Sequence, residues 1–168
     1  MKALPRIVID SREQQPYEYD NSIVAALPSG DYSLEGYEHV IAIERKSKED
    51  AYNSLGCDRE RFKREIIRLS EYRFAAVIIE CSVYAFMKYP PRWRTFKGGW
   101  ETSKLNPKAA LNTLTSWQLK YGIHVNFCCN RDMAQDQVHN YLRLFWENIQ
   151  KGEIEINDTD NRLEIVQG

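Results

Sequence analysis

Glu44-Arg45-Lys46 sets a carboxylate and an ammonium two residues apart, with Asp50 just downstream and Gly30-Asp31-Tyr32 a short way upstream. Residues 40–44 form an apolar run of strand type. Side chains on a strand alternate with period two, so Glu44 and Lys46 project to one face and Arg45 to the other. With Asp31 supplied by a neighbouring strand, hard carboxylate oxygens could hold a divalent cation while Lys46 sets positive charge beside a water or a phosphate. That combination suits phosphodiester hydrolysis.

The surrounding pattern provides elements to position these groups. Residues 6–10 (RIVID) read as a buried strand that delivers Asp10 at its carboxyl end. Pro28-Ser29-Gly30 is turn chemistry, and residues 31–34 and 40–44 read as two strands joined through Gly36, a hairpin carrying Asp31 and Glu44. From residue 47 to about 72 the period is helical, with Leu55, Phe62, Ile66 and Leu69 on one stripe and Gly56 as an interruption. Residues 74–80 (FAAVIIE) suit a short strand buried on both faces. Asn106-Pro107 opens a second helix that Gly122 closes, and residues 123–128 form a last strand. Residues 131–149 form a third helix with Val138, Tyr141, Leu142, Phe145 and Ile149 on one face. This order predicts an α/β fold with a central mixed sheet flanked by helices.

The chain has 168 residues, 43% hydrophobic and 28% charged, which fits one folded domain over residues 1–150. Residues 151–168 read as a polar, acidic tail with the composition of a disordered segment. Residues 1–10 lack a secretory leader pattern, and no apolar run approaches a membrane span. The expected setting is soluble and intracellular, cytoplasmic for a microbial or phage source. Cys57, Cys81, Cys128 and Cys129 lack zinc-type spacing and read as free thiols in a reducing compartment. His39, His124 and His139 have no ligand-like spacing. A net charge of −1 means that any nucleic-acid contact must come from local patches.

Several features carry two readings. Ser47-x-x-Asp50 ahead of a helical run is a capping pattern, so Asp50 serves the helix, the site, or both. Asp31 and Asp10 beside turn residues could instead satisfy local backbone donors. Arg59, Arg61, Lys63, Arg64 and Arg68 form either a solvated helix face or a phosphate-contacting one. Residues 88–108 interleave Arg92, Trp93, Arg94, Phe96, Lys97, Trp100 and Lys104 with a single acid. Such a segment is either a protruding loop whose rings pack down onto the core or a surface where cations meet phosphates and rings stack on unpaired bases.

Asp10-Ser11-Arg12-Glu13, Gly30-Asp31-Tyr32, Glu44-Arg45-Lys46-Ser47-Lys48-Glu49-Asp50, Arg59 and Ile78-Ile79-Glu80 follow one another in this order. In that order they resemble the nuclease domain of the XPF-type structure-specific endonucleases, within the PD-(D/E)XK superfamily, over residues 6–130. The resemblance implies a restriction-endonuclease-like sheet and a metal-dependent DNA endonuclease acting at branched, flap or single-strand/double-strand junction DNA in repair or recombination. It implies Asp31, Glu44, Arg45, Lys46 and Asp50 as the catalytic set, and Asp31, Glu44 and Asp50 around Mg2+ or Mn2+ with Asp10 close by. Lys46 would orient the water or neutralise the phosphate, and Arg45 would anchor Asp10, Asp50 or a phosphate. Arg12, Glu13 and Arg59 take supporting or phosphate-contacting roles, and Arg92, Trp93, Arg94 and Lys97 are candidate DNA contacts.

A homodimer through the last two helices is also expected, since Tyr141, Phe145 and Trp146 give the third helix more apolar circumference than one buried stripe needs. The departure is at the carboxyl end, where the remaining residues are too few for the tandem helix-hairpin-helix module common in the family. Substrate binding is then expected from the domain itself, a dimer mate or another DNA-targeting protein. The rival readings are a non-catalytic DNA-binding or scaffold module, and a junction resolvase or restriction-like nuclease of the same superfamily.

Overall fold

The computed structural model describes residues 3–156. Its centre is a six-stranded mixed sheet. In chain order its strands are β1 (Ile7–Asp10), β2 (Ser22–Ala25), β3 (Tyr32–Leu34), β4 (Ile41–Lys46), β5 (Phe74–Ile79) and, after a separate hairpin, β8 (His124–Phe127). Their spatial order is β2-β1-β3-β4-β5-β8, and β3 runs antiparallel to both β1 and β4 while the other neighbours pair parallel. β6 (Arg92–Arg94) and β7 (Trp100–Thr102) form a two-stranded sheet of their own.

The helices are α1 (Lys48–Leu55), α2 (Arg59–Leu69), α3 (Val83–Lys88), α4 (Pro107–Tyr121) and α5 (Arg131–Gln150). Alternation along β4 and β5 divides the core in two. Ala42, Val77 and Ile79 meet α1 through Leu55, α2 through Ile66 and α4 through Leu114 on one face. Ile41, Ile43, Ala76 and Ile78 meet α5 through Val138, Leu142 and Phe145 on the other. β4 and β5 are covered on both faces, as their nearly unbroken apolar runs require.

Local chemistry sets the boundaries. The Ser47 hydroxyl accepts the Asp50 N–H at 3.1 Å and starts α1. Asn106 caps α4 through the N–H groups of Lys108 and Ala109, with Pro107 at the first helical position, and Gly122 ends it at φ 65°. Gly30 adopts φ 74°, and a Cβ there would stand 3.1 Å from the Ile43 carbonyl oxygen. A glycine therefore lets the chain pass close to β4 and turn Asp31 toward it.

The predicted mixed sheet flanked by helices is the observed fold, and the division of the first helical stretch at Gly56 is observed as well. Three elements differ from the sequence reading. β2 pairs with β1 as an outer strand within residues read as polar connection. The short α3 follows β5, and residues read as a protruding loop contain the β6–β7 hairpin. Cys57 and Cys129 are exposed thiols and Cys81 and Cys128 buried ones, all unpaired. Ile154 and Ile156, at the start of the expected tail, pack against the α5-side core, and residues 157–168 lie outside the described residues. Among the described residues no helix is long and apolar enough to cross a membrane.

Candidate active site

At the carboxyl end of β4 the sheet opens into a cleft of about 400 Å³, lined by Arg12, Glu13, Asp31, Glu44, Arg45, Lys46 and Asp50 among others. β4 alternation has the predicted result. The Lys46 ammonium donates to the Glu44 carboxylate, stands 3.9 Å from Glu65 and lies 4.9 Å from the centre of the Phe62 ring. Asp31 enters from the Gly30 turn, where its carboxylate accepts the Arg45 backbone N–H at 2.7 Å.

Electrostatics in the cleft are tense. Burial pushes the Asp31 carboxyl up to about 7, against the opposing hydrogen bond from the Arg45 N–H. Burial, then the nearby Asp31 charge, drives Glu44 well above the usual carboxylate range despite Lys46. Burial disfavours the Lys46 charge, but Glu44 and Glu65 outweigh it and hold the ammonium above its ordinary value. Glu44 holds the Lys46 ammonium directly while Asp31 feels it only at longer range, an arrangement that further positive charge relieves.

Asp31 and Glu44 are the groups best placed to hold a cation, since Mg2+ and Mn2+ favour hard oxygens. Mg2+ in particular often keeps several waters beside one or two carboxylates and substrate phosphate. Among the described residues no group of three or more His, Cys, Asp or Glu side chains is arranged to hold an ion by itself. Asp50 lines the same cleft, yet its carboxylate accepts the Ser47 hydroxyl at 2.7 Å, so the capping arrangement is realised at the cleft wall. Asp10 neighbours Asp31 through the backbone, with its N–H donating to the Asp31 carbonyl at 2.8 Å. Its carboxylate faces Arg12, which donates at 2.5 to 3.1 Å and also reaches the Leu27 carbonyl. Burial raises the Asp10 carboxyl, but the Arg12 contacts prevail and hold it low. Asp10 is not among the residues lining the cleft.

Arg45 points to the opposite face of β4, where its guanidinium grips both Glu80 oxygens at 2.8 Å and stands 3.5 Å from Glu13. Glu80 also accepts from Tyr17 at 2.8 Å and Arg131 at 2.9 Å. Arg131 in turn donates to the Gln15 and Pro16 carbonyls. This network fastens the segment after β1, whose Glu13 and Gln15 line the cleft, to β4, β5 and the start of α5. Arg59 lies over the Trp117 ring and donates to Thr113, so α2 presents Arg61 rather than Arg59 to the cleft. The sequence reading did not find the partners of Arg45, because Glu80 meets it only through strand pairing and Arg131 joins Glu80 only through the packing of α5. The one available signal was the acid closing the apolar run 74–80. Arg92, Trp93, Arg94 and Lys97 lie away from the cleft lining, on the β6–β7 hairpin.

A restriction-endonuclease-like sheet with an acid and a Glu-x-Lys pair at the end of its central strand defines the class of domain. Residues 9–141 match the family model described as the ERCC4 domain. The chain belongs to the ERCC4-domain family. Its fold is similar to that of XPF from Aeropyrum pernix, with TM-score 0.64 at 20% identity, covering 89% of this chain and 69% of that one. Similarity to XPF from Aeropyrum pernix in complex with DNA gives TM-score 0.62 at 21% identity, covering 94% and 70%. The resemblance to XPF-type nuclease domains drawn from the motifs therefore holds at the level of family and fold. No curated protein matches the chain.

Proposed function

We propose that residues 1–150 form a Mg2+- or Mn2+-dependent DNA endonuclease domain acting at branched, flap or single-strand/double-strand junction DNA. The observation that carries this reading is the cleft lined together by Asp31, Glu44 and Lys46, with the Lys46 ammonium on the Glu44 carboxylate. Family membership and a fold shared with an XPF that was solved with DNA support it. Hydrolysis joins a water oxygen to phosphorus and releases the sugar oxygen, and negative charge accumulates on the phosphate as it proceeds. A cation held by Asp31 and Glu44 would supply Lewis acidity and lower the pKa of its water.

The remaining roles belong to the chain's own groups. Lys46 sets fixed positive charge where the phosphate becomes more negative. The Arg45 N–H orients the Asp31 carboxylate, and the Arg45 guanidinium holds the segment carrying Glu13 and Gln15 against the sheet. Asp50, through Ser47, fixes the start of α1 at the cleft wall. Arg12 keeps the Asp10 carboxylate paired and leaves its own exposed guanidinium edge for a phosphate. DNA as substrate implies work inside the cell, in repair or recombination, with a dimer mate or a DNA-targeting protein adding grip.

Cleavage of a labelled fork by purified variants tests this reading. Asp31→Asn, Glu44→Gln and Lys46→Met should each lower the rate by about a hundredfold or more while circular dichroism stays unchanged. Full activity of Glu44→Gln would overturn the assignment. Binding of the fork by the wild type without any cutting would favour a non-catalytic DNA-binding module.

A further inference from the structure

Among the described residues five Phe, Trp and Tyr side chains are exposed, and all five lie between Tyr84 and Trp100. Phe96 at the hairpin tip is entirely open to solvent, Trp100 is 63% exposed and Trp93 45%. The same stretch is basic. Residues 83–104 hold five Lys or Arg against Glu101 alone, in a chain whose net charge is −1. Rings left largely in water are costly, and a cluster of them marks a surface where something docks.

The register shows how the two chemistries combine. Arg94 pairs with Trp100 and Arg92 with Thr102, so both arginines share a face of the hairpin with Trp100, and the Arg92 guanidinium lies 5.6 Å from that ring's centre. Trp93 projects from the other face beside Glu101. The hairpin is closed at its base by Ser103 N–H to the Pro91 carbonyl at 2.9 Å. Beyond it, Leu105 packs into the core next to Gly56, at the α1–α2 corner from which Asp58 and Arg61 line the cleft. Rings and cations are thus combined on one hairpin, whose chain continues into Leu105 beside Gly56.

We infer that the β6–β7 hairpin is a binding site for an unpaired nucleic-acid strand, with Trp93, Phe96 and Trp100 stacking on bases and Arg92, Arg94 and Lys97 meeting phosphates. Paired bases are stacked on one another and offer no free face, whereas every unpaired base does, so the chemistry selects single strand without selecting sequence. This deepens the proposed function and rests on it, since a strand held here gives a nuclease its preference for branched DNA.

Binding is measured by anisotropy of fluorescein-labelled oligothymidine and of a blunt duplex, in chelator so that cutting plays no part. Trp93→Ala/Phe96→Ala/Trp100→Ala should lower affinity for oligothymidine by about tenfold or more and for the duplex by less than about twofold, with melting temperature unchanged. Arg92→Gln/Arg94→Gln should lower the slope of log affinity against log salt for oligothymidine by about 1.4. Undiminished oligothymidine affinity in the ring variant, equal loss for both DNAs, or no oligothymidine binding by the wild type would overturn the inference. Hairpin-dependent strand binding in a wild type that never cuts would instead sink the nuclease reading and leave this one standing.

Discussion

Arg45 shows how one residue in a motif serves a site from behind. Period two sends it away from Glu44 and Lys46, and the structure meets it there with Glu80, Glu13 and Gln15. Glu80 is enclosed, and burial raises its carboxyl, but hydrogen bonds from Arg45 and Tyr17 prevail and hold it below the ordinary 4.5. A depressed folded value means that this stabilisation is complete above the unfolded pKa and is lost as pH falls through the folded one. Glu80→Gln should therefore cost about 3 kcal/mol near neutral pH, by leaving the Arg45 guanidinium with only the longer Glu13 contact as counter-charge. It should also flatten the loss of stability below about pH 4.5, as read from urea unfolding against pH. Unchanged stability at neutral pH would show that Arg45 does not depend on Glu80. From the sequence, the side-by-side placement of Glu44 and Lys46 was legible because it is local. The Arg45 partners were not, because Glu80 arrives from 35 residues and Gln15 from 30 residues away.

Elements with strong local signals were legible too. The Asn106-Pro107 start and Gly122 stop of α4, the break at Gly56 and the buried run of β5 are each written within a few residues. β2 was not, because an outer strand exposed on much of its surface needs no alternating pattern to mark it. The dimer expectation rested on the aromatic side chains of α5, and there the packing corrects its premise. Phe145 and Trp146 are buried within the chain, edge-on to Tyr37, and Tyr141 packs against Phe74 while its hydroxyl accepts from the Asn126 amide at 2.6 Å. Leu119 on α4 and Met133 and Leu144 on α5 remain exposed and are the apolar groups available to a second copy. Light scattering should give twice the 19.8 kDa chain mass at micromolar concentration, and Leu119→Glu should shift it toward the monomer. A wild-type monomer at that concentration would remove the dimer from the account.

At the scale of the whole molecule, the two proposed functions lie in two regions of different chemistry. The cleft mixes carboxylates with Arg12, Arg45, Lys46 and Arg61, and the hairpin concentrates bases and rings in a chain with slight net negative charge. In the proposed function a cation held by Asp31 and Glu44 would offset their charge and ease the approach of a phosphate. A basic aromatic arm can hold a strand while that happens. The central claim is that the Asp31, Glu44 and Lys46 cleft cuts DNA with a divalent metal. Its most direct test is cleavage of flap, fork, four-way junction and linear duplex by the wild type in Mg2+, Mn2+ or chelator. Cutting of the branched substrates in metal, little cutting of linear duplex and none in chelator is the predicted result. Undiminished cutting in chelator, or no cutting of any substrate in either metal, would contradict it.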